Sequence, residues 1–188
     1  GYLSPTKLNV DNSDRSGEDE RFGILVLRYG NGRNISNISI SDIKISDIYP
    51  TPSNSDNRHK GYGIRFESYN DSEINYYNNI DIDNVDISLT GHYGIHIVNR
   101  MSPANEDFYH RNISITNSKF TNTGGSGIVL ARCKDILVEN SHFNGTGAST
   151  DSRMWNRGSG MWTYTCNDAT IQKNIFENAY GPQDSFGA

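Results

Sequence analysis

Five segments of this chain open with glycine, continue with an apolar residue and then alternate. They are GILVLRY from Gly23, GIRFESY from Gly63, GIHIVNR from Gly94, GIVLARC from Gly127 and GMWTYTC from Gly160. Successive glycines lie 40, 31, 33 and 33 residues apart. After a variable gap each segment is followed by a second strand-like run: NISISDIKI from Asn37, NIDIDNVDI from Asn79, NISITNSKF from Asn112, DILVENSHF from Asp135 and DATIQKNIF from Asp168. A repeat of this length constrains the fold more than any single motif, because one unit cannot bury its own apolar face and must stack on the next.

Alternation with a period of two marks half-buried strands, and the turn residues between them mark the return of the chain to its starting side. The repeat predicts an all-β fold: a right-handed parallel β-helix, a solenoid of about five coils over residues 21 to 188, with residues 1 to 20 as a lead-in, all in one domain. Ile24, Ile64, Ile95, Ile128 and Met161 are expected in one inward column, and Val26, Phe66, Ile97, Leu130 and Thr163 in the next. Asp42, Asn84, Asn117 and Asn140 form a turn column that Lys173 interrupts. A β-sandwich is the alternative, but hairpin signals between paired runs are few.

Composition agrees with strands and turns. Hydrophobic residues make up only 34% of the chain, Asp+Glu outnumber Lys+Arg by 22 to 17, and there is no basic run, which argues against nucleic acid as a partner. No stretch approaches the roughly 20 apolar residues of a membrane span, so no membrane partner is expected. A signal peptide is absent from the sequence as given, and the expected setting is secreted, periplasmic or cell-surface. Cys133 and Cys166 fall at the same place in successive repeats. Adjacent strands lie about 4.8 Å apart, which sterically allows a bridge, but two stacked free thiols are the expected state. The sequons at Asn34, Asn37, Asn70, Asn112 and Asn144 read as turn chemistry before glycosylation.

Two insertions, residues 49 to 62 and 144 to 159, enter the glycine strand at the same corner. Beside them, the outward strand positions hold Arg65, Glu67, His96, Trp162 and Tyr164, while the first strand offers Leu25 and Leu27. Exposed aromatics beside charged groups suit a sugar, whose apolar ring face stacks on an aromatic plane while its hydroxyls find polar partners. Trp162, Tyr164, Arg65, His96, Trp155, Arg157 and Glu67 are therefore the expected substrate-binding residues. Hydrolysis of a glycosidic bond needs two carboxyl groups. Asp184 and Asp151 are the expected catalytic pair, with Glu67 and Asp168 as further candidates and Asp168 reading as a turn residue beside Asp135. A lyase would instead use a base such as Arg65, Arg153, Arg157, His96 or Tyr164, often with Ca²⁺. No acidic cluster has calcium spacing, and His92 and His96, four apart on a strand, do not converge on a metal, so no cofactor is expected for a hydrolase.

The G-I-x-x strand followed by N-I-x-I-x-N resembles the parallel β-helix repeat family of pectate-lyase-like polysaccharide lyases and glycoside hydrolases. The resemblance covers about residues 21 to 188 and implies a carbohydrate-active enzyme, with a glycoside hydrolase expected first and a polysaccharide lyase second. A non-catalytic glycan-binding or structural module, such as an adhesin or tailspike, is the reading from another class. The segment DSFGA places Gly187 at the opening of a sixth coil, so a continuation of the chain, or a partner chain capping the open end, is expected beyond it.

Overall fold

The computed structural model describes residues 20–29, 34–50, 60–69, 76–100 and 105–182. Thirteen strands are found among the described residues: β1 Arg21–Tyr29, β2 Ile35–Ile48, β3 Gly61–Tyr69, β4 Tyr77–Thr90, β5 Ile95–Asn99, β6 His110–Thr116, β7 Lys119–Thr123, β8 Ile128–Ala131, β9 Cys133–Glu139, β10 His142–Asn144, β11 Met161–Tyr164, β12 Asn167–Gln172 and β13 Ile175–Glu177. A single 3₁₀ turn, Glu106–Phe108, precedes β6, and no α-helix occurs among the described residues. Every strand pairing is parallel, which removes the sandwich alternative.

The strands form two separate sheets, which corrects the expectation of a single right-handed β-helix solenoid. One sheet has five strands in the order β1-β3-β5-β8-β11. The other has eight, in the order β12-β9-β6-β4-β7-β10-β13 with β2 on β4, and it is curled into a half-barrel. The cause of the curl lies in β4. Its first half pairs with β6 and its second half with β7. Between the halves Asn84 sits at φ 50, and the equivalent Asp42, Asn117, Asn140 and Lys173 all have φ between 51 and 56. The left-handed region is cheapest for Asn and Asp among residues with a Cβ, so this column sets a corner that bends the sheet. Lys173 does not interrupt it: the backbone turn persists where the side chain changes. A second left-handed column, Asn37, Asn79, Asn112, Asp135 and Asp168, opens the NISI-type runs. The Asn side chains bridge neighbouring strands, as in Asn79 Nδ2 to Asn37 Oδ1 at 2.9 Å and Asn84 Nδ2 to Asp42 Oδ1 at 2.8 Å. Asp168 is thus a turn residue, as expected.

The expected columns are present. Ile24, Ile64, Ile95, Ile128 and Met161 are in direct register, and so are Val26, Phe66, Ile97, Leu130 and Thr163. They meet Ile45, Ile87, Phe120 and Phe143 of the curled sheet in one core. Phe120, Phe143 and Phe176 stack at centroid spacings of 4.8 and 4.6 Å. Each fully buried side chain of this kind contributes about 1.5–3 kcal/mol. The repeat begins with glycine because the sheets approach most closely there. A Cβ on Gly94 would stand 2.5 Å from the Gly127 carbonyl oxygen and 2.7 Å from Phe120, and the same clash recurs along the column, so a side chain would push the sheets apart.

Candidate functional site

Alternation turns the remaining positions of the five-stranded sheet outward. Three rows result. Phe22, Tyr62 and Tyr93 lie immediately before their glycines. Leu25, Arg65, His96, Val129 and Trp162 form the second row, and Leu27, Glu67, Val98, Ala131 and Tyr164 the third. The structure therefore brings Arg65, Glu67, His96, Trp162 and Tyr164 onto one face, as the sequence predicts.

Their environments differ sharply. Arg65 and Glu67 are buried, 1% and 3% exposed. The Arg65 guanidinium is 2.7 Å from Glu67 and 3.2 Å from Glu20, and stacks 4.5 Å from the Tyr62 ring centroid. Arg100 approaches the other Glu67 oxygen. Glu67 is thus a bridge between two arginines, held there by β3 itself, whose Glu67 carbonyl accepts from the Tyr77 hydroxyl at 3.1 Å. A buried carboxylate gripped by two arginines is suited to holding Arg65 in place.

Beside this network lies an aromatic cluster. Tyr62 stacks on Phe22 at 5.6 Å and on His96 at 5.7 Å, and His92 stacks on Tyr93 at 3.6 Å. Trp155 meets His92 edge-on at 4.4 Å, and Arg157 covers the Trp155 ring at 5.3 Å. The loop that carries Trp155 and Arg157 is pinned by its backbone: Trp155 N–H donates to Gly91 at 3.0 Å and Arg157 N–H to Gly124 at 3.1 Å, with Met154 buried beneath. Burial, and then the charges of Arg65 and Arg100, push the His96 pKa down to about 3. The ring is neutral at ordinary pH, and its buried Nδ1 has no hydrogen-bond partner. Burial also raises the Tyr62 pKa, so the phenol keeps its proton.

At the far end of the face, on β11, Trp162 is 45% and Tyr164 62% exposed. Trp162 is two strands from His96, roughly 10 Å at ordinary sheet spacing.

The expected catalytic carboxylates fare differently. Asp151 is clamped by Arg153, with Nε to Oδ1 at 2.8 Å and Nη2 to Oδ2 at 2.6 Å. That fork lowers its pKa to about 2, and Arg153 in turn stacks 4.0 Å from the Tyr49 ring centroid. Asp184 lies outside the described residues, as do Asn70 and most of the first insertion. No group of three or more metal-ligating side chains occurs among the described residues. A cavity of about 100 Å³ is lined by Phe143, Thr146, Phe176 and Glu177. It lies at the last strand of the curled sheet, beside the exposed Glu177 and Asn178, and not on the aromatic face.

Tyr62, Tyr93, Arg100 and Glu20 were missed by reading outward positions only after each glycine. The signal was present one residue earlier: an aromatic precedes the glycine in the first three repeats, and serine, Ser126 and Ser159, in the last two. No family model matches this chain, and neither does any curated protein or solved structure.

Proposed function

We propose that the outward face of the five-stranded sheet binds an extended polysaccharide, and that the protein is carbohydrate-active. The observation that carries this reading is the pair Trp162 and Tyr164, 45% and 62% exposed on the short edge strand β11. Two aromatic planes presented by neighbouring outward positions offer flat apolar surface to sugar rings, and a strand fixes them with little loss of entropy on binding. Toward the earlier repeats, Arg157, Trp155, Tyr93 and His96 extend the same surface with polar edges.

Of the cleavage chemistries, β-elimination on a uronate is favoured by a specific observation. A neutral imidazole with an unsatisfied ring nitrogen, His96, stands beside a protonated phenol, Tyr62, and an arginine pair, Arg65 and Arg100. Arg65 and Tyr62 are buried and Arg65 is already paired with Glu67, so they hold the set in place, and the partly exposed His96 and the exposed Arg100 are the groups that would meet a uronate, as base and cation. Hydrolysis would need a protonated carboxyl group. Arg153 holds Asp151 ionised and Glu67 is engaged by two arginines, which leaves Asp184 as its candidate acid.

Incubation of the protein with neutral and uronate-containing polysaccharides separates the readings. Retardation in gels containing the glycan reports binding, new reducing ends report cleavage, and ultraviolet absorbance of unsaturated uronates reports elimination. Cleavage without that absorbance would overturn elimination. Binding without cleavage would leave a recognition module, and migration unchanged by every glycan would overturn the proposal as a whole.

A further inference from the structure

Cys133 opens β9 and Cys166 immediately precedes β12, and the register Lys134 to Asn167 sets the two cysteines side by side on adjacent parallel strands. Both side chains turn the same way. Cys133 Sγ donates toward the Ala131 carbonyl at 3.5 Å, and Cys166 Sγ toward the Tyr164 and Leu130 carbonyls at 3.5 and 3.3 Å. Parallel neighbours about 4.8 Å apart fall within the Cα range that a disulfide spans. Both thiols are free, with Cys133 fully buried and Cys166 partly open to solvent.

We propose that Cys166 and Cys133 form an oxidisable dithiol, in which Cys166 takes an oxygen from a hydroperoxide and Cys133 resolves the product to a disulfide joining the start of β12 to β9. The two thiols are differentiated for these roles. The neighbouring Cys133 side chain brings the Cys166 pKa down to about 7, whereas burial pushes Cys133 well up. A thiolate is the nucleophile in such chemistry, and access decides which thiol reacts first.

The steps balance. The Cys166 thiol first releases its proton to solvent; the thiolate attacks one peroxide oxygen, the O–O bond breaks, the leaving hydroxide takes up that proton as water, and Cys166 becomes a sulfenic acid. The Cys133 sulfur then attacks Cys166 Sγ while its proton passes to the sulfenic oxygen, the S–O bond breaks and water departs. Overall, two thiols lose two electrons and hydrogen peroxide is reduced to two waters. The bridge would close a loop between residues 33 apart. It would tie down the corner that follows Tyr164, two residues before Cys166, so oxidation would stiffen the end of the sheet that displays the exposed aromatics.

The test uses the full chain, reduced and then titrated with hydrogen peroxide. Intact mass should fall by two hydrogens, free thiols should drop from two to none, and peptide mapping should join Cys133 to Cys166. In Cys133→Ser, the reagent dimedone should capture a sulfenic acid at Cys166. In Cys166→Ser, Cys133 should stay unlabelled by iodoacetamide until the chain is unfolded. The oxidised wild type should melt about 5–10 °C higher than the reduced form, as a closed loop of this length implies. Iodoacetamide labelling of the wild type across pH, which needs no variant, should show a midpoint near 7 for Cys166. Over-oxidation of Cys166 without a bridge, a bridge between two chains, or a labelling midpoint near that of an ordinary thiol would each overturn the proposal.

Discussion

The two ends of the outward face share one sheet and one register, yet they behave as different materials. At β3 and β5, Arg65, Glu67, Tyr62 and His96 are packed against one another, and the charges are answered within the protein. At β11, the positions in line with them carry Trp162 and Tyr164, which face solvent. The comparison teaches that position in a repeat fixes direction, while the neighbouring rows and the covering loop decide whether a side chain becomes structure or surface. Reactive-looking charges ended up inside, and the exposed end is aromatic.

Removing one partner from the buried end should have the largest effect. Arg65→Ala leaves Glu67 buried with half its compensation and should lower stability by about 3–5 kcal/mol, read by denaturant unfolding. Arg65→Met with Glu67→Met should recover much of that loss, because the charges that then lose a partner, Glu20 and Arg100, reach solvent. An equal loss in the double variant would mean that packing, and not charge, holds this end together.

The next effect is that of pH. His96 and His110 have folded pKa values lowered by burial to about 3 and about 4. Between those values and the unfolded value near 6.5, the unfolded chain binds protons that the folded chain refuses, so stability falls as pH falls. At pH 5 each histidine should subtract about 2 kcal/mol relative to pH 7.5, measured by urea unfolding at the two pH values. His96→Gln should remove about half of the difference. A flat profile would show that these rings find protons inside the fold.

At the exposed end, Trp162→Ala and Tyr164→Ala should each weaken glycan binding about five- to tenfold, in the range of an aromatic contact, while unfolding midpoints stay nearly unchanged. Affinity electrophoresis reports the first and thermal melting the second. If stability falls instead, these rings are packing and the contrast between the two ends dissolves. Smallest of all, Asp151→Asn should leave glycan cleavage unchanged and cost at most about 1 kcal/mol, as the Asp151–Arg153 pair is partly exposed. Loss of all cleavage would instead return Asp151 to the chemistry.

Much of the internal order was legible in the sequence. The inward columns, the outward rows and the turn role of Asp168 follow from glycine spacing and alternation, because a period of two leaves each side chain only two directions. The division into two sheets was not legible. A run such as NIDIDNVDI reads as one strand whether or not Asn84 bends it, and a bend is a backbone angle that Asn permits without announcing. Lys173 makes the point from the other side, since it adopts the same angle under pressure from its neighbours. The site was half legible for a related reason. Outward direction at Arg65 and Glu67 was correct, but exposure depends on Glu20 and Arg100, which flank other strands, and on Tyr62, three residues before Arg65 on the same strand. The clamp on Asp151 is local, and Arg153 two residues away was its visible sign.

The glycine column has a consequence for how such a chain can change its length. A residue inserted within any glycine strand would turn every following side chain over, driving isoleucines outward and charges into the core. Insertions between the last strand of one repeat and the next glycine disturb no register. The unequal glycine intervals, 40 against 31 and 33, show length varying in the connections while the glycine strands keep their pattern. Mutational libraries meant to alter what the protein contacts therefore belong in those connections, where length as well as identity can be varied while the strands go on stacking.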